Sequence, residues 1–353
     1  MKAAILGAGL SGLSAAFILE KHGINPIIFE KRNQVGDKTP NAEIHLSVLT
    51  KPINDCFEYF SYKFGIELKP LGKIKKHTFV SENNQTTIKG NLGFTFLKGD
   101  GPSSLENQLK RKLESQIIYN SSPSYNELLD NFSHIVLATG ESSFPAKIFG
   151  YYDSLFNLNM IGANVQGNFT KDNIIAWRDK NIFSKGYGLL TPISSTKASL
   201  MAFLPDYLEN DPKTIFEMFY YKVCNTLGQS IEIEEEFDEI RELAHLSPFP
   251  KVDNTYLAGN CLGTTLPIPG FDIFKAALTG AFSGYDIAKK ADYEKSLQPL
   301  RKKVVNINNL KKTMENIRDD QFDMLVSALK LAPVRSIFHT RKDMLSIAGQ
   351  LMD

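Results

Sequence analysis

A glycine-rich segment close to the start of the sequence, GAGLSG at residues 7–12, has the residue types and the spacing to bind a dinucleotide pyrophosphate. Gly7 permits a tight turn, Gly9 lets the backbone approach a phosphate, and Gly12 lets a helix pack closely against a strand. A helix that begins at Leu10 presents unpaired N–H groups and the positive end of its dipole to the phosphates. The segment therefore predicts a dinucleotide site, and the alternative is a glycine turn that binds nothing.

An acidic residue follows at the spacing that such a site needs. Glu30 ends the second predicted strand, 23 residues after Gly7. Its carboxylate can accept hydrogen bonds from both ribose hydroxyls of an adenosine, and it would repel a 2′-phosphate, which disfavours NADP. Glu30 and the adjacent Lys31 are therefore included in the predicted cofactor site.

Two later segments favour FAD over NAD as the dinucleotide. Residues 134–140 (HIVLATG) and 255–260 (TYLAGN) are both typical of strands that end at glycine, where backbone amides can reach a cofactor. The second segment continues to Gly270 and into a further helix, whose N-terminus would face a flavin. FAD is therefore the predicted cofactor, and no metal is predicted.

The elements that must position these residues follow from the hydrophobic pattern. Apolar runs at 3–6 and 26–30 enclose a helical pattern over 10–22, which makes a βαβ unit. Alternating and β-branched residues over 173–205 indicate a sheet, and 212–227 and most of the C-terminal region have helical spacing. The predicted class is α/β, or α+β overall: a Rossmann-type FAD-binding domain, a β-sheet substrate domain and C-terminal helices.

The composition is that of an ordinary globular protein. The chain has 353 residues, 42% of them hydrophobic and 22% charged, with a net charge of +1. This balance excludes a disordered chain and gives no global attraction to nucleic acid, which is not predicted as a partner. The three cysteines have neither CxxC nor zinc spacing, and a reducing, cytoplasmic location is predicted. No apolar stretch is long enough to predict a transmembrane helix, while a peripheral membrane contact stays open.

The order of the three glycine-bearing segments resembles that of the FAD-dependent oxidoreductases that include p-hydroxybenzoate hydroxylase and the geranylgeranyl reductases, over about residues 1–290. In that superfamily the Ala-Thr-Gly segment lies by the cofactor, and a Gly-Asp pair on the late strand contacts the ribityl chain. The resemblance implies that Gly140, Gly259 and Asn260 take these places, with asparagine where the family usually has aspartate. Lys98 stands where relatives often have an arginine near the cofactor, and an ordinary surface lysine is the equal alternative.

A further motif narrows the resemblance to the geranylgeranyl reductases. Residues 186–192 (GYGLLTP) are similar to their GYxWxFP element, which faces the isoprenoid cavity, although leucine and threonine replace the tryptophan and the phenylalanine. The resemblance therefore implies that Tyr187, Leu189 and Pro192 bind substrate. The Cys-Gly that many of these reductases carry is absent from residues 35–43 (VGDKTPNAE).

The hydroxylase branch is less similar. It has an Asp-Gly after the middle strand and an arginine soon after, whereas this sequence has Gly140 followed by Glu141, with only Lys147 nearby. The resemblance implies reduction of carbon–carbon double bonds in a polyprenyl chain, by hydride from flavin N5 followed by a proton. The implied electron donor is NAD(P)H or a ferredoxin-like protein. Two alternatives are a flavin monooxygenase acting on a small apolar or aromatic substrate, and a non-catalytic protein that binds FAD or an isoprenoid.

Few other residues suggest chemistry, and no catalytic acid or base is identified. His134 inside an apolar strand, His245 and Cys261 each favour a structural role. The predicted FAD-binding domain comprises residues 1–55, 97–145 and 245–290, the substrate domain 56–96 and 146–244, and the C-terminal helical segment 291–353. The complete predicted cofactor site comprises Gly7, Gly9, Leu10, Ser11, Gly12, Glu30, Lys31, Lys98, Gly140, Gly259, Asn260 and Gly270.

Overall fold

The computed structural model describes residues 1–36, 41–151, 154–206, 211–244, 246–264, 273–315 and 317–351. The strands are β1 (Ala3–Leu6), β2 (Ile27–Phe29), β3 (Asn41–Leu46), β4 (Gly72–Val80), β5 (Gln85–Lys98), β6 (Ile117–Ile118), β7 (His134–Leu137), β8 (Ser154–Gln166), β9 (Asn173–Trp177), β10 (Tyr187–Pro192), β11 (Lys197–Pro205), β12 (Glu232–Ala244), β13 (Lys251–Val252) and β14 (Thr255–Leu257). The helices are α1 (Leu10–Lys21), α2 (Cys56–Phe64), α3 (Leu105–Lys110), α4 (Tyr125–Asn131), α5 (Ser143–Phe149), α6 (Pro212–Leu227), α7 (Ile273–Ile287), α8 (Tyr293–Glu315), α9 (Asp319–Ala328), α10 (Ala332–His339) and α11 (Met344–Leu351), with 3-10 turns at Ser47–Leu49 and Gly259–Leu262.

The first sheet has the strand order β13-β14-β7-β1-β2-β6, and its strands run parallel except β13. Every residue of β1 is buried, as expected for a strand that is covered on both faces. The carboxyl ends of β1, β2, β7 and β14 meet at one edge, which is where open parallel sheets bind ligands. The predicted βαβ unit and Rossmann-type sheet are confirmed.

Small residues bring α1 and α7 into direct backbone contact over this sheet. A Cβ on Gly280 of α7 would lie 1.9 Å from the backbone oxygen of Ser11, and one on Gly284 would lie 2.9 Å from that of Ala15. Only glycine permits such an approach, because any side chain would overlap the neighbouring backbone. The helix that carries the glycine-rich loop is therefore held in place by a helix more than 250 residues later in the sequence.

The second sheet has the order β12-β8-β11-β10-β9-β4-β5-β3 and curls back on itself. The backbone N–H of Ala42, on the terminal strand β3, donates to the Ser199 hydroxyl of β11 at 2.8 Å, although β11 lies near the other end of the strand order. The outer face packs Trp177 and Leu200 against Phe219 of α6. The opposite face, called the inner face below, carries a second cluster of apolar side chains, among them Ile44, Ile74, Leu158, Met160, Leu189, Met201 and Phe203.

Two of the C-terminal helices, α9 and α10, pack against β4, β5 and the turn between them. Asp323 of α9 accepts hydrogen bonds from Asn83 and Ser81 at the turn between β4 and β5. Phe338 of α10 lies 6.1 Å from Phe79 of β4, between ring centroids, and α10 has no buried residue. In the described part of the chain, none of the helices is long and apolar enough to cross a membrane.

The predicted domain limits stay a prediction. On either side of residue 55, where one limit was predicted, the elements β3 and α2 pack with different sheets. Strand β3 pairs with β5 in the second sheet. Helix α2 packs Phe57, Phe60 and Phe64 into the core of the first sheet. The chain therefore crosses between the two sheets more than once before residue 100.

Asp286, in the last turn of α7, connects the first sheet to α8. Its carboxylate accepts hydrogen bonds from the Tyr256 hydroxyl at 2.6 Å, the Lys251 ammonium at 2.9 Å and the Tyr293 backbone N–H at 2.7 Å. Burial acts to raise the pKa of Asp286, but these donors outweigh burial and hold the pKa below its ordinary value.

The lowered pKa gives a prediction for acid stability. Because the folded state favours the carboxylate, Asp286 stabilises the fold above about pH 4, and this contribution is lost as the pH falls through the folded-state pKa. We expect Asp286→Asn to lower the free energy of unfolding by about 2 kcal/mol at pH 7, with a smaller difference at lower pH. Urea unfolding across this range is the measurement, with the exposed Asp130→Asn as the matched control. A difference between wild type and Asp286→Asn that is independent of pH would contradict this role for the carboxylate.

Candidate cofactor and substrate site

The loop between β1 and α1 has no room for a side chain at two of its three glycines. Gly7 has a φ of 112°, and a Cβ there would lie 2.2 Å from the backbone oxygen of Ala138, just after β7. A Cβ on Gly12 would lie 2.0 Å from the Gly7 oxygen. The tight turn and the close packing that the spacing predicted are therefore present.

Gly9 is different, because the protein itself leaves room beside it. Its backbone is extended, with φ −76° and ψ 178°, and among the described residues no atom outside its chain neighbours lies within 4 Å of a Cβ placed on it. Gly9 is the N-cap of α1, and glycine supplies no side-chain cap for the amides of the first turn. The N-terminus of α1 is therefore open to an anion on the side of Gly9.

Glu30 is fixed beside this loop. One carboxylate oxygen accepts a hydrogen bond from the Ala8 N–H at 2.7 Å, and the other accepts one from the Arg32 N–H at 3.0 Å. A carboxylate has about four acceptor positions, so positions remain for the two hydroxyls of a ribose. The ribose-binding role of Glu30 stays a prediction.

The residues that follow β7 and β14 are joined by side-chain contacts. The Asn260 amide donates to the backbone oxygen of Gly140 at 2.8 Å. The Thr139 hydroxyl lies 3.1 Å from the Cys261 sulfur. Two segments that are about 120 residues apart in sequence are therefore in contact at the carboxyl edge of the first sheet.

Gly259, which follows β14, lies close to the glycine-rich segment of residues 7–12. It has a φ of 63°, and a Cβ on it would lie 2.7 Å from the Ser11 hydroxyl oxygen. Its N–H donates to the Thr279 hydroxyl of α7 at 2.8 Å. The structure therefore brings most of the predicted cofactor residues together at the carboxyl edge of the first sheet, namely Gly7, Gly9, Leu10, Ser11, Gly12, Glu30, Gly140, Gly259 and Asn260.

The surroundings of residue 260 favour an asparagine amide over an aspartate carboxylate. Its N–H group donates to a backbone carbonyl, whereas an aspartate carboxylate has no proton to donate and would place a charged oxygen against that carbonyl. We expect Asn260→Asp to lower the free energy of unfolding by about 1–2 kcal/mol at pH 7, as measured in urea. Asn260→Ala loses the hydrogen bond without adding a charge, so its free energy of unfolding should lie between those of wild type and Asn260→Asp. Equal stability of Asn260→Asp and wild type would contradict the assignment.

The two predicted lysines lie in ion pairs. Lys31 pairs with Glu141, and both side chains are about half exposed. Lys98, at the end of β5, lies 3.5 Å from Glu43 of β3, and only 18% of its side chain is exposed. Lys98 is therefore mostly buried, and its contact with a cofactor stays a prediction.

Three buried polar residues near this edge were not identified from the sequence. Glu43 is fully buried beside Lys98, Lys275 is 1% exposed in the first turn of α7, and Thr279 accepts the Gly259 N–H. No pattern in the sequence marks them, because a buried charge depends on partners that are distant in the chain. The glycines at positions 280 and 284 of α7 did carry a usable signal, since small residues four apart predict close helix packing.

The other candidate residues have structural surroundings. Cys261 is buried, and burial raises the pKa of its thiol, so the reactive thiolate is disfavoured at neutral pH. His134 begins β7, at the opposite end of the strand from the site; burial and the nearby Lys251 lower its pKa. His245 and Gly270 lie outside the described residues.

The predicted substrate residues lie on different faces of β10. Tyr187 stacks on Phe203 with 4.7 Å between ring centroids, and Leu189 lies with them on the inner face. Side chains alternate along a strand, so Pro192 points to the outer face, as does Leu190. The structure therefore brings Tyr187 and Leu189 together and separates Pro192 from them.

The carboxyl edge of the first sheet fits a dinucleotide. The open N-terminus of α1 suits a pyrophosphate, the free acceptor positions of Glu30 suit an adenosine ribose, and the turns after β7 and β14 allow close backbone approach.

Comparison with known protein families and sequences gives one partial match. The model of the NAD(P)-binding Rossmann-like domain matches residues 5–50, the segment that contains the glycine-rich loop and Glu30. No curated protein matches the sequence.

Solved structures share the fold over almost the whole chain. A geranylgeranyl bacteriochlorophyll reductase-like protein from Thermoplasma acidophilum is 13% identical with a TM-score of 0.76, and the match covers 100% of this chain and 99% of the other. A flavin-dependent brominase is 10% identical with a TM-score of 0.69, over 100% and 97% of the two chains. A 2-methyl-3-hydroxypyridine-5-carboxylic acid oxygenase is 14% identical with a TM-score of 0.59, over 95% of each chain.

These three structures carry different activities in their names, so the shared fold does not select one reaction. At these identities the likeness confirms the predicted fold, a Rossmann-type domain with a second sheet and C-terminal helices. One of these neighbours, the brominase, is named as flavin-dependent.

Proposed function

We propose that this chain is an FAD-dependent oxidoreductase that reduces carbon–carbon double bonds of a polyprenyl lipid. FAD, when bound, supplies the hydride chemistry, and the protein provides binding, orientation and an apolar surrounding. The proposed electron donor is NAD(P)H or a ferredoxin-like protein.

The cofactor would be held by the residues at the carboxyl edge of the first sheet. The amides of the first turn of α1 beside Gly9 bind the pyrophosphate, and Glu30 accepts hydrogen bonds from the ribose. The turns at Gly140 and Gly259 let the backbone approach the rest of the cofactor.

The observation that carries the choice of substrate is the apolar inner face of the second sheet. Leu189 and Met201 are each at most 1% exposed, and the stacked pair Tyr187–Phe203 lies beside them. A surface of this kind binds a hydrocarbon chain through removal of apolar area from water. Helices α9 and α10 pack at the β4–β5 end of this sheet.

Anaerobic turnover with a polyprenyl alcohol tests the proposal. The FAD-loaded protein is reduced with a stoichiometric amount of dithionite, and geranylgeraniol is then added. We expect the flavin absorbance of the oxidised form to return and the product to gain two hydrogens for each double bond reduced. Free reduced FAD, without protein, is the control for uncatalysed reoxidation.

Two results would contradict the proposed reaction. The first is a reduced flavin that geranylgeraniol does not reoxidise. The second is substrate-stimulated oxygen consumption with oxygen incorporated into the product, which would favour the monooxygenase alternative.

A further inference from the structure

A row of residues across the inner face contains polar groups that the hydrocarbon substrate alone does not explain. Ser199 of β11 pairs with Thr191 of β10, and His77 of β4 pairs with Ile174 of β9 and with Ile88 of β5. The register of β10 on β9, continued by one residue, places Thr191 opposite Ile174. Ile174 and Ile88 belong to the inner-face cluster, so Thr191 and His77 share that face and flank Ile174.

The side chains of Thr191 and His77 are both buried. Thr191 is 0% exposed and His77 is 4% exposed. Within the described residues, the Thr191 hydroxyl and both ring nitrogens of His77 have no hydrogen-bond partner. The His77 ring lies against the Phe79 ring, with 3.8 Å between centroids and a tilt of 30°, and this contact involves the ring faces rather than the ring nitrogens.

Such groups are costly unless something satisfies them. A buried donor or acceptor without a partner loses its hydrogen bonds to water and gains none in return. The hydroxyl of Thr78, on the same strand as His77 but directed to the outer face, shows the ordinary solution: it bonds Thr87 at 2.9 Å and Asn173 at 3.0 Å. The inner-face groups have no equivalent partner among the described residues, which points to a ligand.

The row is uncharged, and this limits the charge that a bound ligand can carry. Burial lowers the pKa of His77 to about 3, so the imidazole is neutral at pH 7. None of Ser199, Thr191, Ile174 and Ile88 carries a charge. An ionised carboxylate or phosphate over this row would therefore lose its hydration without meeting a cation among these five residues.

We infer that the substrate bears an uncharged hydrogen-bonding group, a hydroxyl or a carbonyl, which binds over Ile174 between Thr191 and His77. The inference rests on the proposed function for taking the inner face as the substrate site. His77 then acts as a binding and positioning residue, since neutral imidazole can both donate and accept a hydrogen bond. The phenyl ring of Phe338, from α10, lies 6.1 Å from that of Phe79, the ring that contacts His77.

Binding of three matched probes tests the inference without any flavin chemistry. Geraniol, its hydrocarbon analogue 2,6-dimethylocta-2,6-diene, and geranic acid are titrated into the full-length protein at pH 8 by calorimetry. We expect geraniol to bind about tenfold more tightly than the hydrocarbon and than the ionised acid. Because reduction is not measured, loss of this preference and loss of turnover are separate results.

Substitutions at His77 and Thr191 test whether these residues cause the preference for geraniol over the hydrocarbon. We expect His77→Phe to remove the preference for geraniol over the hydrocarbon, and Thr191→Val to reduce it, with no fall in thermal stability for Thr191→Val because no hydrogen bond is lost. Thr78→Val, the control from the outer face, should lower thermal stability and keep the preference.

Two results would overturn the inference. One is equal binding of geraniol and the hydrocarbon by the wild-type protein. The other is a Thr191→Val variant that is clearly less stable and keeps the full preference, which would mean that the hydroxyl serves the fold.

Discussion

Replacement of Gly9 by valine is expected to weaken FAD binding by at least about 100-fold while the chain remains folded. The backbone of Gly9 is extended, a conformation that valine adopts readily, and in the described part of the chain no atom beyond the two neighbouring residues lies within 4 Å of a Cβ at this position. The added side chain would therefore project into the space that a pyrophosphate must enter at the N-terminus of α1. Loss of glycine at the N-cap should cost only about 1 kcal/mol of stability.

The measurement is an equilibrium titration of the flavin-free protein with FAD, together with urea unfolding of both proteins. Gly101→Val is the matched control, because a Cβ on Gly101 likewise meets none of the described residues within 4 Å apart from its chain neighbours, but Gly101 lies in the loop before α3. FAD affinity of Gly9→Val within about threefold of wild type would contradict the placement of the pyrophosphate.

Gly280→Ala is expected to have the largest effect on the fold, a loss of about 3 kcal/mol or more in the free energy of unfolding. A Cβ there would lie 1.9 Å from the backbone oxygen of Ser11. Ser11 cannot move away easily, because the adjacent Gly12 already approaches the Gly7 oxygen so closely that a Cβ would lie 2.0 Å from it. Separation of α7 from α1 would therefore also disturb the glycine-rich loop.

Urea unfolding of the flavin-free protein measures this effect, and Gly101→Ala is the control for substitution of a glycine as such. We expect the control to be within about 0.5 kcal/mol of wild type. A Gly280→Ala variant within about 1 kcal/mol of wild type would show that α1 and α7 can separate at low cost, and the close helix contact would then not be what holds the loop in place.

The cofactor side of the site was predictable because its signals are local. Gly7, Gly9 and Gly12 fall within six residues, and their spacing alone specifies a turn, an open helix N-terminus and a close packing contact. Glu30 lies at the end of the next strand, where parallel pairing brings it back to the loop. The structure adds what spacing does not contain: Gly7 and Gly12 are required by the fold, whereas Gly9 is left open to a ligand.

The substrate side was less predictable because it depends on distant pairing. The GYGLLTP motif predicted Tyr187, Leu189 and Pro192 as substrate residues. The alternation of β10 places Pro192 on the outer face and Thr191 on the inner face with Tyr187 and Leu189. His77 gave no signal in the sequence, since its burial depends on the register of β4 with both β5 and β9. The hydrogen bond from Asn260 to Gly140 likewise joins segments whose proximity no local pattern encodes.

Binding of FAD at the carboxyl edge of the first sheet underlies both the proposed reaction and the placement of its substrate. The visible absorption spectrum of the purified protein tests it, followed by heat denaturation and identification of any released flavin. We expect oxidised-flavin bands and released FAD, or uptake of added FAD by the flavin-free protein. A colourless protein that takes up no FAD would contradict this cofactor assignment, and the Rossmann-type loop would then have to be assigned to a different ligand.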